Sequence, residues 1–286
     1  MPYLLKYADS NADFEEAEFV IFGVPFDGTT SYRGGARFAP NSIREASINI
    51  ESFIFEKKFS MNNVNLHDMG NLEEKGYVED VISEVEFYAN DILDKSKFPI
   101  MLGGEHSITT GIAKALKERD AAIIFLDAHL DFRKEYLGVK YSHACVARRS
   151  YEILGNKRTA AFGVRSISEE EYYDALEKKY FYISAYNFKA IGWKKAIDQI
   201  LENISSKKIF LSLDIDGIDP AFAPAVATPE PYGLDPSDVK HIIDYIGDRL
   251  IGADIVEISP HYDQGNTAML GARLLQEIVS SKNMKK

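Results

Sequence analysis

The sequence predicts an α/β protein built on a mainly parallel sheet with helices on both faces. Three observations carry that prediction. Short apolar runs rich in Ile, Val and Phe recur along the chain, several of them continuous rather than alternating, as strands buried on both faces should be. Amphipathic stretches long enough for helices separate them. The alternation continues with no Pro/Ser-rich linker, internal repeat or charge block to divide it. One domain over residues 1–286 is therefore expected, with residues 1–17 as an N-terminal segment assigned to no element.

The elements follow in order. The runs Phe19–Gly23 and Asn63–Leu66 are too short and too apolar for helices and read as the first strands. Val78–Leu93 has helical spacing of its apolar residues, Phe98–Leu102 is a strand, and Ile108–Lys117 is a helix. Ala121–Leu126 and Thr159–Val164 are continuous apolar strands, with the helix Glu169–Glu177 and a weaker strand near Tyr180–Ser184 after them. Trp193–Ile204 is helical and Lys208–Leu213 a strand. The helix Pro236–Ile246 is announced by Asp235-Pro236, an N-cap residue followed by proline at the first helical position. Strand Ile251–Ile258 and helix Gln264–Ser280 complete the pattern, which holds about eight strands.

Composition bounds the function. The 286 residues are 45% hydrophobic and 27% charged, ordinary for a soluble globular protein, and 19 Gly with 10 Pro exclude collagenous or low-complexity chains. With 33 Lys and Arg against 44 Asp and Glu, the net charge of −11 argues against nucleic acid as a partner and suits metal ions or small cations. The single cysteine, Cys145, excludes a disulfide framework and any multi-cysteine zinc or iron–sulfur site, and reads as a small buried side chain. The first residues lack a basic segment followed by an apolar one, and no apolar run is long enough to span a membrane. A cytoplasmic protein without membrane contact is expected.

In open α/β sheets, ligands bind beyond the carboxyl ends of the strands, and the polar residues lie there. Phe98–Leu102 runs into Gly103-Gly104-Glu105-His106-Ser107, and Ala121–Leu126 into Asp127-Ala128-His129-Leu130-Asp131. Lys208–Leu213 leads to Asp214-Ile215-Asp216-Gly217-Ile218-Asp219-Pro220, and the last strand holds Glu257-Ile258-Ser259-Pro260. In extended geometry Asp127, His129 and Asp131 point to one side, as do Asp214 and Asp216. If these ends and His106 converge, four carboxylates and two imidazoles meet. Four unpaired anions at the end of an apolar strand bundle would be very costly, so they take up protons or bind cations. Two divalent ions balance four negative charges, and an all-oxygen-and-nitrogen ligand set favours a harder ion such as Mn²⁺ over structural zinc.

These three segments resemble the signatures of the ureohydrolases, the arginase/agmatinase family. Further matches are Gly23-Val24-Pro25-Phe26-Asp27, Arg33-Gly34-Gly35-Ala36-Arg37, Gly163-Val164-Arg165, Thr228-Pro229-Glu230-Pro231 and Asp254-Ile255-Val256-Glu257-Ile258-Ser259-Pro260. The resemblance covers roughly residues 18–282. It implies a three-layer α/β/α arginase-like fold around an eight-stranded sheet, two Mn²⁺ ions per subunit, and hydrolysis of a guanidinium to urea plus an amine. Carried over, His106, Asp127, Asp131 and Asp214 are ligands of one manganese. Asp127, His129, Asp214 and Asp216 are ligands of the other, with Asp127 and Asp214 bridging. Glu257 grips the planar guanidinium through paired hydrogen bonds, and His143 is the catalytic proton shuttle beside the substrate. Asp219 supports the ligand loop.

Departures from the family pattern narrow the substrate. Glu105 stands where Asp is commoner, and Pro224-Ala225-Val226-Ala227-Thr228-Pro229 replaces a glycine-bearing loop. Arginases carry Asn two residues after the Asp-Ala-His motif's last Asp, where this chain has Arg133. That points away from arginase and toward agmatine, with putrescine as product, provided Glu135 or another carboxylate screens Arg133. Aminopropylagmatine, guanidinobutyrate and arginine are the alternative small-molecule substrates, and a catalytically silent metal-binding homologue is the alternative of another class. By analogy with the family a homo-oligomer, trimer or hexamer, is expected.

Overall fold

The computed structural model describes residues 5–283. Strands β1 (Phe19–Gly23), β2 (Phe53–Ile54), β3 (Phe59–Ser60), β4 (Leu66–Asn71) and β5 (Phe98–Leu102) lie in the first part of the chain. Strands β6 (Ala122–Leu126), β7 (Thr159–Val164), β8 (Phe181–Ser184), β9 (Ile209–Asp214) and β10 (Leu250–Val256) follow. All but β2 and β3 form one eight-stranded parallel sheet in the order β4-β1-β5-β10-β9-β6-β7-β8, and β2 and β3 pair as a short antiparallel ribbon.

The helices are α1 (Ala39–Ser47), α2 (Val78–Asp94), α3 (Thr109–Ala115), α4 (Val146–Leu154) and α5 (Glu169–Glu177), then α6 (Ala185–Ile191), α7 (Trp193–Asn203), α8 (Pro236–Ile246) and α9 (Asn266–Asn283). They cover both faces of the sheet, giving the three-layer α/β/α architecture that the alternation predicts. Successive residues of each strand serve opposite cores. Ile21, Ile100, Leu211 and Ile255 pack with Ile43 of α1, Ile200 of α7, Ile242 of α8 and Leu275 of α9. Phe22, Met101, Phe125 and Phe210 pack with Ile82 of α2, Ile112 of α3 and Ala175 of α5. Each such fully buried Ile, Leu, Met or Phe side chain contributes about 1.5–3 kcal/mol relative to exposure.

Local signals set the boundaries that sequence reading located well. Ser168 and Glu171 form a reciprocal capping box that starts α5, and the Asp235 carboxylate caps α8 with Pro236 at its first position. Other boundaries differ from expectation. The second strand of the sheet is Leu66–Asn71, not Asn63–Leu66; residues Met61–Asn63 form a 3₁₀ turn instead. Its Asp68 is buried as a charge, held by the Arg44 guanidinium through Nε (2.8 Å) and Nη2 (2.9 Å), so the strand does not look apolar. Ile108–Lys117 resolves into a 3₁₀ turn, His106–Ile108, followed by α3, and the last strand stops at Val256 because Glu257 adopts a left-handed backbone (φ 65°). Helices α1, α4 and α6 are not among the elements expected from the sequence.

The first four residues of the N-terminal segment lie outside the described residues. The rest is tied down: Tyr7 donates from its backbone to Asp68 and from its hydroxyl to the Ala272 carbonyl of α9. Among the described residues no helix is long and apolar enough to cross a membrane.

Candidate metal centre

Strand order is what assembles the site. β5, β10, β9 and β6 are consecutive neighbours in the sheet, so four motifs distant in sequence emerge side by side at one edge. The turn after β5 needs its glycine: a Cβ on Gly104 would stand 2.0 Å from the Phe26 carbonyl oxygen. Gly104→Ala is expected to cost about 1–3 kcal/mol or more. An unchanged midpoint in urea unfolding would show that the turn tolerates a side chain.

Five of the six candidate ligands fall into two groups, and Asp131 lies beside the first of them. His106 Nδ1 lies 3.2 Å from Asp127 Oδ2, 3.1 Å from Asp214 Oδ2 and 3.6 Å from Asp131 Oδ2. His129 Nδ1 lies 2.9 Å from Asp216 Oδ2 and 3.6 Å from Asp127 Oδ1. Ligand atoms of His106, Asp127 and Asp214 form one group within 4.8 Å, and those of Asp127, His129 and Asp216 form another, with Asp127 common to both.

The local backbone differs from the plain extended step expected. Asp131 is left-handed (φ 51°), and Ile215–Gly217 is a 3₁₀ turn in which the Asp214 carboxylate accepts the Asp216 amide at 2.9 Å. Two other candidate ligand carboxylates are braced in similar fashion, Asp127 by the His129 amide (2.6 Å) and Asp216 by the Ala128 amide (3.0 Å). Positive-φ residues other than glycine are costly, and their presence at Asp131 and Glu257 is strain kept at a site.

Hydrogen-bond accounting shows that these groups fit a cation. His106 Nε2 is 3.0 Å from Ser212 Oγ, whose proton goes to Asp254 Oδ1 (2.7 Å), while Thr109 donates to the other Asp254 oxygen. The ring therefore donates through Nε2, and a neutral His106 presents a bare Nδ1 to three carboxylates. That nitrogen is buried without a hydrogen-bond partner, which a cation between it and the carboxylates would satisfy.

Charges among the side chains alone are badly balanced. Burial and the Asp127 charge push Asp131 up to about 7. Burial with Asp216 and Asp127 pushes Asp214 well above the usual carboxylate range. Burial opposes charge on the imidazoles too, yet the carboxylates raise both His106 and His129 well above their ordinary value. Asp127, against its own burial, is held low by the two imidazoles.

The sign of the pH dependence follows. Folded Asp131 keeps a proton that the unfolded chain gives up near about pH 4. Its stabilising contribution is complete below that pH and is lost as pH rises through about 7. A divalent cation replaces the proton, so the Tm gain on adding one is expected to be small near about pH 5 and largest above about 7.5. Calorimetry at the two pH values checks this; equal gains would mean that no ligand proton is displaced.

Beside the ligands lies a cavity of about 250 Å³ lined by His129, Asp131, Arg133, Tyr136 and His143 among others. Burial first, then the His129 and His106 charges, lower His143 to about 4, so it is neutral at physiological pH. Glu257 is buried, and its Oε1 accepts the His106 amide at 2.7 Å. Burial and the Glu105 charge raise it well above the carboxylate range, which leaves it short of a cationic partner. Arg133 pairs with Glu171 (3.2 Å) and lies over the Tyr136 ring (5.1 Å); Glu171, not Glu135, is the carboxylate that screens it.

Sequence reading missed several supporting residues. The Arg165 guanidinium donates to the Asp216 and Glu230 carbonyls, both at 2.7 Å, clasping two loops of the site. Asp219 accepts the Ala221 and Gly233 amides, in keeping with a loop-supporting part. Ser212 and Asp254 could have been found only from strand pairing, which sets Asp254 opposite Ser212. Cys145 is buried, and burial pushes its thiol up to about 12.

Comparison with known proteins agrees with this geometry. The sequence profile of the Arginase family matches residues 17–280. The chain is 33% identical over 280 residues to the agmatinase of Bacillus anthracis, covering 96% of this chain and 94% of that protein. It is 35% identical over 290 residues to the N(1)-aminopropylagmatine ureohydrolase of Thermococcus kodakarensis, covering 96% of each. The solved structure of the agmatine ureohydrolase of Thermoplasma volcanium matches with a TM-score of 0.94 and 45% identity, over 98% of this chain and 94% of that one.

Proposed function

The chain belongs to the arginase family of binuclear metal ureohydrolases, and from that premise we propose that it hydrolyses agmatine to urea and putrescine with two Mn²⁺ ions. The observation that carries the proposal is the crowding of His106, Asp127, His129, Asp131, Asp214 and Asp216 around an unpartnered imidazole nitrogen, beside a cavity that His143 lines. Held there, the ions would balance the carboxylates and lower the pKa of water toward neutrality, as attack on a resonance-stabilised guanidinium carbon requires.

The chain's own residues supply the rest. Glu257 receives the guanidinium through paired N–H···O bonds, a cation that answers its raised pKa. His143 is neutral, so it takes a proton released by the attacking water and passes it to the leaving amine. With Glu171 paired to Arg133, the cavity tolerates a cationic substrate tail, and no Asn stands where arginases grip an amino-acid head group. The Thermococcus relative supports a second reading, the longer N(1)-aminopropylagmatine.

A urea-release assay with Mn²⁺ across agmatine, aminopropylagmatine, arginine and guanidinobutyrate tests both. Agmatine is expected to give the highest kcat/KM, by roughly tenfold or more over arginine and guanidinobutyrate. A preference for aminopropylagmatine would assign the longer substrate. No urea from any of the four with metal bound would sink the proposal in favour of a silent homologue.

A further inference from the structure

Thr29 and Glu105 lie on separate loops and belong to neither ligand group. Glu105 is fully buried, and its carboxylate accepts four hydrogen bonds: from the Thr29 amide (2.8 Å), Thr29 Oγ1 (2.6 Å), Ser107 Oγ (2.6 Å) and Thr30 Oγ1 (3.2 Å). Thr29 Oγ1 also accepts the His143 amide at 3.0 Å and lies 3.1 Å from His143 Nδ1.

A hydroxyl has one proton and two lone pairs. Four donors converge on the two Glu105 oxygens, so the carboxylate serves as acceptor and the short contact takes the Thr29 proton. Both lone pairs of Oγ1 then face His143, one accepting its amide and the other the N–H of Nδ1. Ser142 Oγ, 3.3 Å from the same nitrogen, is the more distant neighbour and itself accepts the Ala144 amide.

We infer that Thr29, held by Glu105, is a positioning residue that fixes His143 in its Nδ1–H tautomer and leaves Nε2 as the nitrogen that exchanges the proton. The inference rests on the proton-transfer role given to His143 above. It also gives Glu105 a purpose: the carboxylate orients a hydroxyl, and the hydroxyl orients the imidazole.

The test compares Thr29→Val, which keeps the shape, with Thr29→Ser, which keeps the hydroxyl. Both are made in the full chain loaded with Mn²⁺ and assayed on whichever guanidino compound releases urea. Thr29→Val is expected to lower kcat by roughly 10–100-fold while KM stays within about threefold and metal content is unchanged. Thr29→Ser is expected to recover kcat to within about threefold of wild type. A second readout needs no turnover. With Mg²⁺ in place of paramagnetic manganese, the ¹⁵N resonances of His143, identified by their loss in His143→Asn, should show Nδ1 protonated in the wild type and a mixture of tautomers in Thr29→Val. A wild-type His143 protonated at Nε2 would overturn the inference. So would full kcat in Thr29→Val, or a Thr29→Ser as impaired as Thr29→Val. If the wild type releases urea from no guanidino compound, the functional reading fails, while the resonances still decide the tautomer.

Discussion

Asp127→Asn is expected to lose bound metal and activity together. Asp127 is the residue common to both ligand groups, and its oxygens face His106 on one side and His129 on the other. Replacing the carboxylate by an amide removes a charge from both positions at once, which no neighbouring side chain can restore. The fall in kcat/KM should be roughly a thousandfold or more, about 4 kcal/mol at 1.36 per decade. Stability supplies an independent readout. At a free cation concentration a hundredfold above Kd, linkage stabilises the wild type by about 2.7 kcal/mol. For a chain of this length that is roughly 5–10 °C in Tm. Chelator should remove this increment from the wild type and change nothing in Asp127→Asn, because the variant has none to lose. Full activity and an unchanged midpoint in wild-type protein after verified metal depletion would sink the two-metal reading.

The parts of the fold legible in the sequence are those where burial and apolar identity coincide. β5, β7 and the helix α5 end where the apolar runs, the capping box and the periodicity end. What escaped is burial achieved by charge. Arg44 of α1 is fully buried against Asp68 of β4, and Arg148 of α4 pairs with Glu152 and Asp174, so charged residues hold buried positions in these short helices even though α1 and α4 are amphipathic. The candidate ligand residues could be singled out because ionisable groups two residues apart at the end of an apolar strand are costly unless a cation or a proton is shared among them. Their convergence was not legible from pattern alone, since it depends on β10 entering the sheet between β5 and β9. The left-handed turns at Asp131 and Glu257 were hidden for a related reason. Asp and Glu give no local signal for positive φ of the kind glycine gives, and surrounding contacts impose it. The line from Glu105 through Thr29 to His143 joins loops that only the folded chain brings together.

His143→Asn and Glu257→Gln are expected to fail in different kinetic parameters, and the difference separates proton transfer from substrate binding. Glu257→Gln keeps the shape and can still accept the His106 amide through its carbonyl oxygen, but it loses the charge-assisted pairing with a guanidinium. A drop in kcat/KM of roughly a hundredfold or more is expected, about 2.7 kcal/mol, much of it through KM. His143→Asn removes the imidazole from the cavity wall and leaves the guanidinium grip intact. Here kcat should fall by about 10²–10⁴ with KM nearly unchanged, because a general acid–base group acts in the transition state and not in ground-state binding. Metal content should stay near wild type in both, since neither residue belongs to a ligand group. Small imidazoles added to His143→Asn should restore part of its rate and do nothing for Glu257→Gln, as a diffusible base replaces a proton carrier but not a fixed carboxylate. Steady-state kinetics with metal analysis on the same preparations decides the matter. Full kcat in His143→Asn across the pH range would remove His143 from proton transfer and assign protonation of the leaving amine to another group. Metal loss in Glu257→Gln would instead tie Glu257 to the stability of the His106 turn, through the amide it holds at 2.7 Å.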